Sequence, residues 1–299
     1  MNHRAPFRTL ALAALLSTAT VPLLAQDRSA SGHLLNWTNP IAVEQDTVVN
    51  KTHKLPAHAF MVHEAEPGAA LNALKAAYAG QNAKFSGSDP MSGLVTVTVL
   101  GEAPVLLLAS AAKDKKAGGA RMRVTFAAND STAIEGGRDA AHALAIQLNR
   151  AIVQQQIDAQ QKIVDKAGSK LESAQSDQAK AQKKASNAAS DLEKAKKEKS
   201  KLADKQAQLQ KEQQRAQERY NTSQAPKDLE KLTKVQGQLV KVQQDLAKQL
   251  KKESDAQKAA NKRQDEIPDA QKAQQVHQVS KEQAVSELEA LKRKLEAIR

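Results

Sequence analysis

Hydrophobic positions follow two different rhythms along the chain. From about Val48 to Asn129 they alternate with polar residues or gather in short blocks, whereas beyond Arg138 they recur in steps of three and four. Ala59-Phe60-Met61-Val62 predicts a strand ended by Glu66-Pro67-Gly68, and Ala69 to Ala79 a short helix with Leu71, Leu74, Ala77 and Tyr78 on one face. Leu94 to Leu100 has the period of two of a half-buried strand. Gly101 to Pro104 punctuates it, and Val105 to Ala109 is the next strand. After a turn over Lys113 to Gly119, Met122, Val124 and Phe126 share one face of a fourth strand. The expected fold class is α+β: a small βαβββ domain over 48–130, with an antiparallel sheet and one helix, followed by a long antiparallel α-helical coiled-coil hairpin. A flexible segment over 26–47 precedes the domain. A unit of roughly 80 residues lies near the lower size for a stable core. Leu144, Leu148 and Ile152, which fall off the later seam, are therefore expected to cover the sheet.

Thr132 and Glu135 have capping-box spacing and Gly136-Gly137 follow, which predicts a helix start near Arg138 and a first arm over 138–220. A seam runs from Val153 through Ile157, Val164, Leu171, Leu192, Leu202 and Leu209 in heptad phase. Gln160, Gln178, Lys199, Gln206 and Gln213 interrupt it. Asn221 to Pro226 breaks the helix, giving a loop over 221–226. The second arm, 227–299, carries Leu232, Leu239, Leu246, Ile267, Leu288, Leu291 and Leu295 in the same phase, with a bend expected near Pro268. Folded antiparallel, Leu209 faces Leu239, Leu202 faces Leu246, Ile157 faces Leu291 and Val153 faces Leu295. That register centres on Gln224, inside the predicted loop. Each arm would be about 110 Å long. Lys199 opposite Gln249 and Ala185 opposite Arg263 are the expected weak layers. Tyr220 and Gln224, at the tip, are the candidate interaction residues.

Composition sharpens this division. Aromatics are 2% of residues, and Tyr220 is the only one after Phe126, so the second half must be stabilised along a seam and not around a core. Cysteine is absent, which excludes a disulfide, a thiolate nucleophile and a lipoprotein anchor. Arg4 and Arg8, the apolar run Leu10 to Leu16 and the Val21 to Ala25 stretch predict a signal peptide over 1–25, cleaved after Ala25. That run is too short to span a bilayer, and no later transmembrane segment is expected. The chain is thus expected to be exported to the periplasm. Its formal net charge of +12 sits mostly after Arg150, where 31 basic residues oppose 22 acidic ones, a net of +9. Export removes nucleic acid as the counterpart of this charge. A protein partner in the cell envelope, or an acidic or anionic envelope polymer, takes its place. Because a seam residue such as Lys199 could be satisfied by a second hairpin, a homo-oligomer stays open.

Little in the sequence suggests chemistry. His58 and His63, followed by Glu64 and Glu66, are weak candidates for a metal site. Five residues apart on a strand they point to opposite faces, so the expectation is exposed edge-strand histidines, no metal and no cofactor. Ser86-Gly87-Ser88-Asp89 lacks the spacing of a nucleophile elbow, and no glycine-rich phosphate loop follows a strand. An enzyme is not expected.

The Leu55-Pro56-Ala57 and Phe60-Met61-Val62 stretches, a small strand-rich domain and a C-terminal coiled coil together resemble a group of uncharacterised exported bacterial proteins. A weaker resemblance is to the periplasmic holdase chaperone Skp, a basic protein with hairpin tentacles on a small β-body. Here the hairpin is C-terminal and much longer. Efflux-pump adaptors also carry hairpins, but between lipoyl-like strands that this chain lacks after its hairpin. The expected function is a non-enzymatic envelope scaffold acting through the basic hairpin. A Skp-like holdase and a small-ligand or metal-binding N-terminal domain are the alternatives. Low aromatic content along the arms counts against the holdase, because gripping clients needs exposed apolar surface.

Overall fold

A computed structural model describes residues 28–299. The signal peptide and its cleavage after Ala25 fall outside the described residues. Two compact units are present: one holds the chain up to Val153 together with Arg293–Arg299, and the other is Gln154–Lys292.

The first unit is built on an antiparallel sheet. Its strands are β1 (Val43–Asn50), β2 (His53–His63), β3 (Phe85–Ser86), β4 (Met91–Thr96), β5 (Pro104–Asp114), β6 (Gly119–Asn129) and β7 (Thr132–Ala133). The order across the sheet is β1-β2-β6-β5-β4-β3, and β7 pairs with β6 outside that path. β2 is shared between two neighbours: His53 to Phe60 pair with β1, and His58 to His63 with β6. The short helix α1 (Pro67–Ala77) and the start of α2 (Gly137–Ser223) cover one face. Phe60, Val62, Leu74, Leu107, Met122 and Phe126 form the core there, and Leu144, Leu148 and Ile152 join it, as their off-seam positions predicted. Alternate residues of the same strands make a smaller cluster of Val48, Leu55, Ala57 and Leu108. Gly119 fixes the join between strands, because a Cβ there would lie 2.4 Å from the Val62 carbonyl oxygen.

The antiparallel sheet and the helix on it agree with the sequence reading, but βαβββ does not describe the succession of elements along the chain, which has two strands before α1 and five after it. Three strands were not anticipated: β1, β3 and β7. The long strand expected over Leu94–Leu100 ends at Thr96, where a 3₁₀ turn over Thr98–Leu100 takes over. The Leu100 amide bonds the Val97 carbonyl (2.8 Å), so Val97 is buried but Val99 swings outward and is 61% exposed. Pro67, read as part of a strand terminator, instead opens α1, where its missing N–H has no helical partner to lose. Thr132 lies in β7, so it cannot cap α2. Of the segment 26–47, read as flexible, residues 43–47 belong to β1, and residues 28–42 include a bridge between Arg28 and Leu34 and the contact of Trp37 described below.

The second unit consists of the facing stretches of α2 and α3 (Pro226–Ala297). Gln224 and Ala225 link the helices. Gln224 adopts a left-handed conformation (φ 53°), and its amide bonds the Tyr220 carbonyl at 2.8 Å, closing the C-terminus of α2. Pro226 takes the first position of α3. Contacts across the seam make the pairing antiparallel. Gln249 Nε2 donates to the Ala195 carbonyl (3.0 Å), one turn before Lys199, and Lys199 Nζ meets Glu253, one turn after Gln249 (2.6 Å). Both contacts bracket the Lys199–Gln249 layer that the heptads predict. α3 continues through Pro268.

Candidate interaction surfaces

In the first unit the polar side chains converge where β2 ends. Glu64 takes a left-handed conformation (φ 55°), which turns the chain and aims its carboxylate inward. One carboxylate oxygen accepts the Leu34 amide (2.6 Å), and the other meets the ammonium of Lys294, which also donates to the Leu34 carbonyl (2.7 Å). The Lys294 side chain is 1% exposed. A charge so deeply buried is tolerable only when paired and hydrogen-bonded. Three distant segments are tied at this point: the lead-in, the end of β2 and the last turns of α3.

Asn149 performs a related task beside it. β1 pairs no further along β2 than Phe60, so on the side away from β6 Met61 and His63 have no neighbouring strand. Asn149 Oδ1 accepts the His63 amide and its Nδ2 donates to the Met61 carbonyl, both at 2.9 Å. A side-chain amide from α2 thus imitates a strand and closes the edge. Arg150, next in sequence, donates to the Ile298 carbonyl (3.0 Å) and fastens the end of α3.

An open cleft of about 730 Å³ lies over this region, lined by Arg28, His33, His63 and the β5–β6 turn with Lys113, Lys115 and Lys116. Its charges are partly spoken for. Lys113 pairs with Glu66 (2.6 Å), and the Asp114 carboxylate accepts the amides of Lys116 and Ala117. Those amides, that of Ala117 foremost, hold the Asp114 carboxyl below the usual carboxylate range.

The two candidate histidines are not brought together. His58 lies beside Gly137 at the start of α2, and His63 packs edge-on against Trp37 with ring centroids 5.3 Å apart. Burial lowers the pKa of both. Arg138 adds to the effect at His58. At His63, Lys294 adds to it while Glu64 and a hydrogen bond to the Ala117 backbone oppose it. Each ring has a buried Nδ1 without a hydrogen-bond partner. Among the described residues no group of three or more His, Cys, Asp or Glu side chains could hold a metal ion.

In the second unit, the predicted seam positions Ile157, Leu171, Leu209, Leu232, Leu288 and Leu291 are buried, and Val164, Leu192, Leu202, Leu239, Leu246 and Ile267 are half-buried. Tyr220 is half-buried at the next seam position, and Gln224 is exposed in the link. Near the tip, Arg215 and Arg219 of α2 share a groove of about 380 Å³ with Lys231 and Lys234 of α3, against two acids, Glu212 and Asp228. Leu295, at the end of the seam, is half-buried in the first unit. Sequence reasoning missed Asn149 and Lys294, and it noticed Glu64 only as a neighbour of the candidate metal histidines. The one available signal was Lys294 itself, a lysine beside the apolar run Leu288–Leu291–Leu295, and it did not reveal a partner 230 residues away.

No helix among the described residues is long and apolar enough to cross a membrane. No protein-family model matches the chain, and no curated protein matches it.

Proposed function

We propose that the protein is a non-enzymatic scaffold of the bacterial envelope, exported by its N-terminal signal peptide, whose basic hairpin engages an acidic protein partner. The cationic tip groove is the observation that carries this reading. Arg215, Arg219, Lys231 and Lys234 converge from both helices where the link brings the chain around, and they outnumber the two acids beside them. Two guanidinium groups and two ammonium groups on rigid helices offer directed donors to carboxylates at little ordering cost. The lean seam supports the same reading: it uses alanine, glutamine and a Lys199–Glu253 pair where a tighter coiled coil would use leucine.

The test is crosslinking in the native envelope, with wild type compared against a variant carrying Arg215→Glu, Arg219→Glu, Lys231→Glu and Lys234→Glu. One stoichiometric partner, lost from the variant and from wild type at high salt, is the expected outcome. Many unrelated exported proteins captured by both would replace the scaffold with a holdase. A single partner that the variant retains would move the docking surface away from the tip.

A further inference from the structure

From Gln175 on α2 to Gln278 on α3 the hairpin has a face almost free of charge, whereas nearer its base the same flank carries Asp158, Asp165, Glu172, Glu282 and Glu289. On each helix the residue that follows a seam residue lies on one flank, and in an antiparallel pair the two such flanks fall on the same side. On α3 the fifteen positions of this kind from Leu229 to Gln278 carry no charged residue. On α2 the thirteen from Gln175 to Gln217 carry only Glu193 and Lys196, of opposite sign and one turn apart. In the same stretches 29 of the 39 other positions outside the seam are charged. A solvated helix face has no reason to exclude lysine and glutamate, which are among the better helix formers. A face that loses its water on assembly does, because an unpaired charge left there is costly.

What replaces the charges is a second heptad ladder. On α3 it repeats in the same three-and-four steps as the seam, with Gln236, Gln243 and Gln257 among its glutamines. Leu229, Val240 and Leu250 belong to it and are 44%, 51% and 49% exposed. Alanine, serine and glutamine with scattered aliphatics is also the composition of the hairpin's own seam, where Gln160 and Gln249 are buried and donate to carbonyls of the opposite helix.

We propose that this face is where a second copy of the chain docks, so that two hairpins pack side by side into a four-helix bundle. The occupant follows from charge. An acidic partner would be held by the lysines of the other side, whereas another copy, equally basic there, can approach closely only through the face almost free of charge. Size agrees as well. The α3 ladder alone is about 75 Å long and a helix is about 10 Å wide. Contact along it would cover about 750 Å² per chain, or about 1,500 Å² in total, within the range of stable interfaces. Such an interface is isologous, so each substitution enters it twice. This inference is independent of the tip reading, since none of the four tip cations lies on this face.

The experiment is sedimentation equilibrium of the full mature chain over a range of concentration and salt, with circular dichroism to confirm helicity. A dimer that tightens as salt screens the lysines is expected. Val240→Glu with Leu250→Glu should weaken it by about 100-fold or more. Gln244→Glu, the same charge on the other side of α3, should leave it intact. A monomer at about 100 µM, a dimer indifferent to Val240→Glu and Leu250→Glu, or one lost equally in Gln244→Glu would overturn the proposal. Co-purification of a different protein with a chain that stays monomeric would give the face to that protein instead.

Discussion

At the scale of single residues, the first unit depends on polar groups that have given up water. Lys294 is the clearest case. Replacing it with methionine keeps most of its volume but strands the Glu64 carboxylate, which still accepts the Leu34 amide and is itself mostly buried. Lys294→Met should therefore destabilise the protein by about 3 kcal/mol in denaturant unfolding, and adding Glu64→Gln should restore part of the loss, since removing both charges leaves neither unpaired. The histidines add a pH dependence. Burial holds His58 and His63 neutral below the ordinary value of 6.5, so as pH falls through 6.5 the unfolded chain takes up protons that the folded chain refuses. The stability this contributes is complete above about pH 6.5 and drains away as pH falls toward the depressed values. Asp114 and Asp130 are also depressed, but from 3.8, so they act only at more acid pH. Thermal unfolding should show a midpoint that drops between pH 7.5 and 5.5, and a smaller drop in a His58→Gln, His63→Gln double variant. An equal slope in both would remove the histidines from the account.

Among the elements, the hairpin shows what a coiled coil loses to polar layers. Gln249 is 5% exposed and spends its amide on the Ala195 carbonyl, which the helix already engages through its own ladder. Gln249→Leu would thus orphan nothing on the opposite helix and would add an apolar side chain to the seam. It should raise stability by about 1 kcal/mol, seen as a higher midpoint for loss of helical signal; a decrease would mean that the amide stabilises more than leucine packing would. The seam itself was legible in the sequence because a heptad repeats its evidence every seven residues, and over Ile157 to Leu209 no single interruption hides the phase. β1 was not legible. Val43–Asn50 reads VEQDTVVN, and its strand conformation comes from pairing with β2 and not from its own pattern. Val99 was misplaced for the opposite reason: its spacing from Val95 and Val97 continues the alternation, but the chain turns at Thr98 before reaching it. The Glu64–Lys294 pair had no local signature, because long-range contacts depend on how the chain folds back and not on spacing.

Across the whole molecule, stability should be distributed unevenly, because the two units bury different things. β5 and β6 pair over nine positions, and Leu107, Leu108, Ala109, Ala120, Met122 and Val124 on them are fully buried. On α3, by contrast, no residue between Leu250 and Gln283 is buried. The seam there passes through Glu253, Arg263, Gln274, His277 and Lys281, and only small or half-buried apolar groups lie between them. Pro268 also leaves the Gln264 carbonyl without its helical donor. Backbone hydrogen bonds open locally where few apolar contacts hold them shut. Hydrogen exchange followed by mass spectrometry should accordingly find the slowest amides in β5 and β6. Amides of α3 between Leu250 and Gln283 should exchange faster by about 100-fold or more, although they are as helical as their neighbours. The α2 residues opposite them should be intermediate, since Ala167, Leu171, Ala174 and Ala185 remain buried there. Uniform protection along both helices would mean that the hairpin opens only as a whole, and that its polar layers are held by contacts beyond the single chain.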